Sequence, residues 1–269
     1  MGRRCCRAPV ARARVAGARN GGTGASGRGD VTVARWTDER RVRLGDVDPS
    51  GRAWLDAVAG FVQDVAADHS DHNGFAGTTW VVRRLELRCG RLPRHRELMQ
   101  VATWCSGVGP RWAQRTTTLS VDGQVGVEAV AVWVHVDATT GAPTALPASF
   151  LDVYGETITD RRVSARLQHG DPPPDGARLD WQVRRSDLDL LGHVNNARYW
   201  SAVEEVLSQR SIAAEPVVAT IEFRAGLEHG PAHVVHRSPV DDARGGADVW
   251  VLDAAGAVAA SVEVRPVVG

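Results

Sequence analysis

The sequence predicts an α+β protein made of two tandem copies of one unit, each a strand, a helix and then several long strands. The first observation behind this prediction is an internal repeat, because residues 42–52 match residues 183–193 at a constant offset. The second is that each copy runs directly into a segment with apolar residues at helical spacing. The third is a hairpin signal late in each half, Asp122-Gly123 and Ala255-Gly256, between runs of strand-forming residues. A repeat of this length indicates duplicated domains rather than a solenoid.

The two helices are predicted from their apolar periodicity. Leu55, Val58 and Phe61 recur three residues apart, and the helix that they define ends in a polar run closed by Gly74. The second helix is predicted from Ala197 to about residue 208, with an asparagine just ahead of it as the cap. A strand is predicted at 181–185. The repeat continues after each helix, where residues 85–88 correspond to residues 221–224.

The repeat also sets the expected domain boundaries. We expect an N-terminal domain at 31–150, a linker at 151–180 that is stiffened by Pro172-Pro173-Pro174, and a C-terminal domain at 181–269. Residues 1–30 are rich in arginine and glycine and have no continuous apolar core, so we expect a disordered tail.

Composition limits the classes of function. The formal net charge of +0 over 269 residues gives no indication of a nucleic-acid or anionic-membrane partner. All 32 basic side chains are arginine, and the lack of lysine excludes a phosphate-loop lysine and Schiff-base chemistry with pyridoxal phosphate. Four cysteines lack the spacing of a zinc site or a disulfide framework, and no apolar run is long enough to span a bilayer. We therefore expect a cytoplasmic protein without cofactor or metal.

The candidate site is the polar turn that leads into the second helix. Asp189, His193, Asn195 and Asn196 lie within a few residues of each other, just ahead of the helix. A helix N-terminus offers unpaired N–H donors and about half a positive charge. An acyl carbonyl could be polarised and attacked at such a place.

Several stretches resemble the acyl-acyl carrier protein thioesterases of plants and bacteria. They are Trp80-Val81-Val82-Arg83-Arg84, Gly109-Pro110-Arg111-Trp112 and, most specifically, Asp187-Leu188-Asp189 with Gly192-His193-Val194-Asn195-Asn196-Ala197-Arg198-Tyr199. Proteins of that family are double hotdogs, in which each of two tandem domains wraps a curved antiparallel sheet around a long helix. The resemblance covers the chain from about residue 40 and implies an intramolecular pseudo-dimer, with a homodimer of such chains left open.

The resemblance implies hydrolysis of fatty acyl thioesters on acyl carrier protein, which releases free fatty acid in fatty acid biosynthesis. Acyl-CoA thioesterases share the signature, so acyl-CoA is an alternative carrier. A non-catalytic acyl-binding protein is a further alternative, because two positions depart from the plant members of the family. Leu191 stands where those proteins have an asparagine, and Gly226 stands near the place of a glutamate.

Roles follow for the residues that match the family's pattern. Asp189 matches the acid that activates water or attacks directly, and His193 matches the histidine that orients it or protonates the leaving group. Asn195 or Asn196 is expected to hold water or substrate. Backbone N–H groups from Val194 to Asn196 are expected to bind the oxyanion.

The first copy has lost this chemistry, because Arg52 stands where the second copy has His193 and no pair of asparagines follows. We expect it to shape the acyl pocket instead, with Val58 and Phe61 on its helix and Trp80 on its strand.

Three other features have more than one interpretation. The six arginines at 83, 84, 88, 91, 94 and 96 could face an acidic carrier protein or guard a strand edge. The polar run at 68–73 is interpreted as a solvated helix end rather than a metal site. Cys105 is interpreted as a small, half-buried side chain rather than a nucleophile.

Overall fold

The computed structural model describes residues 33–239 and 245–267 and contains ten strands and three α-helices in these ranges. The tail expected at 1–30 lies outside the described residues. The elements of the first half are β1 (Arg35–Arg41), α1 (Leu55–His72), β2 (Thr79–Cys89), β3 (Leu98–Val108), β4 (Trp112–Val121), β5 (Gln124–Val136) and α2 (Phe150–Tyr154). Those of the second half are β6 (Ala177–Val183), α3 (Tyr199–Gln209), β7 (Val217–Phe223), β8 (Gly230–Arg237), β9 (Ala247–Asp253) and β10 (Val258–Pro266).

All ten strands form one antiparallel sheet in the order β1-β3-β4-β5-β2-β7-β10-β9-β8-β6. The order is a mirror of itself when the two copies are compared, since β2 and β7 are equivalent strands and pair at the centre. Leu85 lies directly opposite Ile221 in that pair. These two residues are equivalent in the repeat, so a pseudo-twofold axis passes between them and the predicted intramolecular pseudo-dimer is present.

Both long helices pack on the sheet through their apolar faces. Val58, Val62 and Val65 of α1 are buried with Val203 and Leu207 of α3 in one continuous core. Each of these side chains contributes roughly 1.5–3 kcal/mol by leaving water. No helix in the described ranges is both long and apolar enough to cross a membrane.

Two expected boundaries differ from the structure. The second helix was expected from Ala197, but a 3-10 turn occupies Asn196–Arg198 and α3 follows it, ending at Gln209. The expected linker at 151–180 contains most of α2, and β6 already starts at Ala177. The α2 helix has only five residues and little apolar periodicity, so the sequence gives no strong helical signal there.

Residues 168–170 of the linker are held against the second half of the sheet. Glu222 is completely buried and accepts hydrogen bonds from the backbone N–H groups of Gln168 and His169. Arg224 donates to the His169 carbonyl, and the Trp250 indole donates to that of Gly170. This segment is therefore fixed by polar contacts rather than by proline stiffness alone.

Candidate active site

Asp189 organises the turn that precedes the 3-10 turn and α3. Its Oδ1 accepts hydrogen bonds from the backbone N–H groups of Leu191, at 2.8 Å, and His193, at 3.4 Å. The backbone N–H of Asp189 also donates to the His193 carbonyl at 2.8 Å, and Leu188 forms an isolated antiparallel β-bridge with Val194. Within the described part of the chain, Oδ2 of Asp189 has no hydrogen-bond partner, so one carboxylate oxygen is available to a ligand.

The first copy builds the same turn with Asp48. Its Oδ1 accepts from the N–H groups of Ser50 and Arg52, and Val47 forms the equivalent bridge with Ala53. The backbone role of the aspartate is therefore required by the fold in both copies. The side-chain contacts distinguish them, because Oδ1 of Asp48 also accepts the Ser50 hydroxyl at 2.6 Å and Oδ2 pairs with the Arg52 side chain at 2.9 Å.

A cavity of about 670 Å³ opens beside the second turn. Its wall combines residues from both halves of the chain. The second half contributes Leu188, Asp189, Leu190, Leu191, Asn195 and Asn196. The first half contributes Gln63, Ala66, Ala67, Ser70, Asp71, Phe75, Ala76, Thr78, Trp80, Cys105, Ala113, Gln114, Arg115, Trp133, Phe150 and Tyr154. A mostly apolar cavity with polar groups at one turn is the usual form of a small-molecule site.

The structure brings some of the predicted site residues to this cavity and not others. Asp189, Asn195 and Asn196 line it, as does Trp80 from the expected acyl pocket. His193 is adjacent to Asp189 in the turn but is not part of the cavity wall. Within the described ranges its ring makes no hydrogen bond.

The expected set of oxyanion donors reduces to a single backbone group. The N–H of Val194 donates to the Leu227 carbonyl at 2.7 Å, and that of Asn195 donates to the Asp187 carbonyl at 2.8 Å. Val194 is therefore excluded as a donor, which corrects the expectation. Among the described residues, the Asn196 N–H has no hydrogen-bond acceptor.

Gly226 explains one departure from the family's pattern. A Cβ at this position would lie 2.7 Å from both Cγ and Cδ2 of the His193 ring. The imidazole therefore occupies the space that a side chain at 226 would need. A glycine here and this position of the histidine ring depend on each other.

Val58 and Phe61 do not line the cavity, contrary to expectation. Val58 is completely buried in the core, and Phe61 packs against the same core. The cavity is lined instead by the following turns of α1, including Ala66 and Ala67, whose small side chains leave room for a ligand. Periodicity identified the apolar face of the helix, but it does not tell core positions from cavity positions.

The equivalent of the candidate site in the first copy is closed by an ion pair. Arg52 bonds Glu204 of α3 at 3.1 Å, and Oε1 of Glu204 accepts the Leu55 N–H at 2.8 Å. By the repeat, Leu55 corresponds to Asn196 and Glu204 corresponds to Gln63. Gln63 lines the cavity, so in the second copy's site it takes the place that Glu204 has in the closed site of the first copy.

Several pKa values follow from these surroundings. Burial opposes ionisation of Asp48, but hydrogen bonds from Ser50 and Arg52 outweigh it and lower the pKa of the carboxyl to about 2. Burial raises the pKa of Glu204, against the Leu55 N–H and the Arg52 charge. Burial also raises the pKa of Tyr199 to about 12, and the nearby negative charge of Asp189 contributes in the same direction. Tyr199 is therefore a neutral phenol at physiological pH.

Cys105 is completely buried rather than half-buried, and it lies in the cavity wall. Burial raises the pKa of its thiol to about 11. It is not a nucleophile at neutral pH, because the thiolate is the reactive form. Within the described ranges, no group of three or more His, Cys, Asp or Glu residues is placed to hold a metal ion.

Five of the six arginines at 83–96 of the first half make contacts within the chain. Arg88, Arg91 and Arg94 each pair with a glutamate, and Arg83 and Arg84 donate to backbone carbonyls. Three of these charges are therefore neutralised. The pairing favours a structural role for the group over a docking surface for an acidic carrier.

Comparisons with known proteins agree with this architecture. A family model described as the acyl-ACP thioesterase N-terminal domain matches residues 34–154, and one described as the acyl-ACP thioesterase C-terminal domain matches residues 171–244. An uncharacterised protein of Mycobacterium tuberculosis is 26% identical over 209 residues, which cover 77% of this chain and 84% of that protein. Oleoyl-acyl carrier protein thioesterase 1 of Arabidopsis thaliana is 24% identical over 209 residues, which cover 68% of this chain and 58% of the plant protein. The chain thus spans somewhat more than half the length of that relative.

Two solved structures show the fold. The putative oleoyl thioesterase of Lactobacillus plantarum has a TM-score of 0.74 at 20% identity, and the match covers 87% of this chain and 96% of that one. The 12:0-ACP thioesterase of Umbellularia californica has a TM-score of 0.68 at 18% identity, and the match covers 87% and 95%. The predicted double hotdog of the α+β class is confirmed.

Proposed function

The chain belongs to the acyl-ACP thioesterase family, and on that premise we propose that it hydrolyses fatty acyl thioesters carried on acyl carrier protein. The observation that carries the proposal is the junction of the two halves. The cavity joins a mostly apolar wall from the first half to Asp189, Asn195 and Asn196 from the second. An acyl chain can lie in the first part while its thioester meets the second.

Asp189 is the proposed base. Its Oδ1 is held by two backbone N–H groups, which leaves Oδ2 to accept a proton from water. The water oxygen attacks the thioester carbonyl carbon, and the carbonyl oxygen becomes an oxyanion. The C–S bond then breaks, the acid is released, and the thiolate takes the proton.

The Asn196 N–H is the proposed oxyanion donor. Its equivalent in the first copy, the Leu55 N–H, already binds a carboxylate oxygen of Glu204 at 2.8 Å. This contact supports the assignment, because it is made to an anionic oxygen by the same group of the repeat. Losing one such donor typically costs roughly 10²–10³ in rate.

His193 is proposed to position the reacting groups through the turn. Its backbone N–H donates a hydrogen bond to Oδ1 of Asp189, and its ring packs against Gly226. The side chains of Asn195 and Asn196 complete the polar wall. Asn195 uses its Oδ1 to accept the Ala197 N–H at 2.9 Å, so its amide nitrogen is the part that can meet a ligand.

Thiol release from acyl-carrier-protein and acyl-CoA panels with the same acyl chains tests the proposal. We expect release from the carrier-protein thioesters, and a loss of roughly 10²–10⁴ in kcat for Asp189→Asn. The matched control is Asp48→Asn, which removes the same charge from the same turn in the first copy and leaves kcat unchanged. Unchanged activity of Asp189→Asn would refute the mechanism. Faster release from acyl-CoA than from acyl carrier protein would identify coenzyme A as the preferred carrier. Tight acyl binding without any thiol release would refute the hydrolytic activity.

A further inference from the structure

Arg115 places a positive charge in the wall of the cavity. It lies on β4 opposite Cys105 of β3, and its side chain reaches α1, where one terminal nitrogen donates to Nδ1 of His69 at 2.7 Å. The same nitrogen lies 3.4 Å from the Thr103 hydroxyl, and the guanidinium carbon is 5.6 Å from the centre of the Tyr154 ring. The other two nitrogens of the guanidinium make no hydrogen bond to the described residues.

No acidic side chain in 33–239 or 245–267 pairs with Arg115. Asp71 also lines the cavity, but it is exposed and makes no ion pair with this arginine. A guanidinium can only donate hydrogen bonds. A half-buried one without an anion is costly unless a ligand supplies it.

His69 does not supply that negative charge. Its Nε2 lies 2.7 Å from the Val33 carbonyl and must donate to it, so Nδ1 is the acceptor for Arg115 and the ring is neutral. Burial lowers the pKa of His69 to about 4, and the charges of Arg115 and His72 act in the same direction. His69 therefore adds no charge of its own, and the Arg115 guanidinium stays positive without an anionic partner among the described residues at neutral pH.

The ring of Tyr154 lies close to the guanidinium of Arg115. It lines the cavity, is almost completely buried, and its hydroxyl has no hydrogen-bond partner in the described part of the chain. That hydroxyl is enclosed by the protein. The rings of Phe75 and Phe150 pack on Tyr154 and make the surroundings apolar.

This positive region lies at a distance from the thioester along α1. Gln63 lines the cavity together with Asn196, whereas Arg115 meets α1 at His69. Those two positions on the helix are separated by roughly 9 Å, at 1.5 Å per residue. A group bound at Arg115 is thus remote from the reacting carbonyl.

We propose that Arg115 binds a carboxylate at the far end of the acyl group, so that the substrates include ω-carboxyacyl thioesters. The inference rests on the proposed function, because it assumes that the thioester lies at Asp189. A carboxylate can accept hydrogen bonds from the guanidinium nitrogens that have no partner, and it neutralises the charge. A methyl-ended chain would instead cover the guanidinium without offering an acceptor.

The test compares three N-acetylcysteamine thioesters of equal chain length, ending in a carboxylate, in its methyl ester, or in a methyl group. The native protein is expected to favour the carboxylate in kcat/KM. Arg115→Gln is expected to lower that preference roughly ten- to a hundredfold, the usual worth of a hydrogen bond to a charged group. If Arg115→Gln fails to fold, Arg115→Lys takes its place, because lysine keeps a donor for His69 but lacks the planar fork, and it is expected to lower the preference severalfold. Arg35→Gln is the matched control, since it removes an arginine stacked on Trp104 away from the cavity.

Equal cleavage of the three thioesters by the native protein would overturn the proposal. So would an equal loss with all three in Arg115→Gln. A phosphate of the carrier arm is the other source of an anion, and coenzyme A thioesters test it. If Arg115→Gln affects every coenzyme A thioester but no N-acetylcysteamine thioester, Arg115 binds the arm and the proposal is wrong.

Calorimetric binding of free dicarboxylic acids separates this proposal from the proposed hydrolysis. Binding that depends on Arg115, without thiol release from any thioester, would support the carboxylate site and refute the activity. Thiol release from methyl-ended chains, without binding of dicarboxylates, would support the hydrolytic activity and refute the carboxylate site.

Discussion

Gly226→Ala offers a direct test of whether the position of the His193 ring matters for activity. The new Cβ would lie 2.7 Å from two ring carbons and 3.0 Å from Nδ1. Carbon atoms pack best at about 3.5–4.0 Å, so the ring must move by about 1 Å. A misplacement of about 1 Å in a catalytic arrangement can cost roughly 10² in rate.

The backbone tolerates this change, because Gly226 is exposed and its φ lies outside the left-handed region. His193 is half-buried, so its ring can swing towards solvent and the unfolding free energy should change by about 1 kcal/mol or less. We therefore expect kcat/KM for thiol release to fall roughly a hundredfold while the melting temperature hardly moves.

Gly60→Ala is the matched control, since a Cβ at Gly60 on α1 meets no atom within 4 Å. It should leave the rate unchanged and stabilise the helix slightly, by roughly 0.5–1 kcal/mol. Full activity of Gly226→Ala would refute the reasoning, because the ring would then be free to move without consequence. An equal loss of rate in both variants would refute it as well.

Three further outcomes are expected. Arg52→Ala leaves the buried Glu204 carboxylate without its ion pair and should lower the unfolding free energy by roughly 3–5 kcal/mol in chemical denaturation, a result that a change below 1 kcal/mol would contradict. Because the pKa of His69 is lowered to about 4 when the protein is folded, the unfolding free energy should be level above about pH 6.5 and fall between pH 6.5 and 4, and His69→Gln should remove that slope. Ala66→Leu fills the cavity wall and should shift thiol release towards shorter acyl chains, whereas Val58→Ala should lower stability without changing the chain-length profile.

Much of the fold can be predicted from the sequence, because the same pattern of strand, turn and helix occurs in both halves. The match of residues 42–52 with 183–193 appears in the structure as two turns with the same aspartate contacts and the same bridge. The hairpin at Asp122-Gly123 is formed with positive φ at both residues, as its sequence indicates. Short α2 could not be predicted, since its five residues are ordered by the aromatic contacts of Phe150 and Tyr154.

The candidate site was predicted less completely. Asp189 and the two asparagines could be identified because their local pattern is specific. Whether an N–H group is free depends on partners distant in sequence, such as the Leu227 carbonyl, which accepts a hydrogen bond from the Val194 N–H. Gln63 belongs to the other half of the chain, and only the pairing of the two halves brings it to the cavity.

The ion pair between Arg52 and Glu204 has a consequence for how such a protein can evolve. In a dimer of two identical chains, every substitution appears twice, so both sites must keep the same residues. Here the halves are parts of one polypeptide, and the positions of His193 and Gln63 carry Arg52 and Glu204 in the other half. One site is thereby released from binding substrate and becomes a charged clamp between the halves. Covalent duplication has allowed a symmetric architecture to carry an asymmetric division of labour.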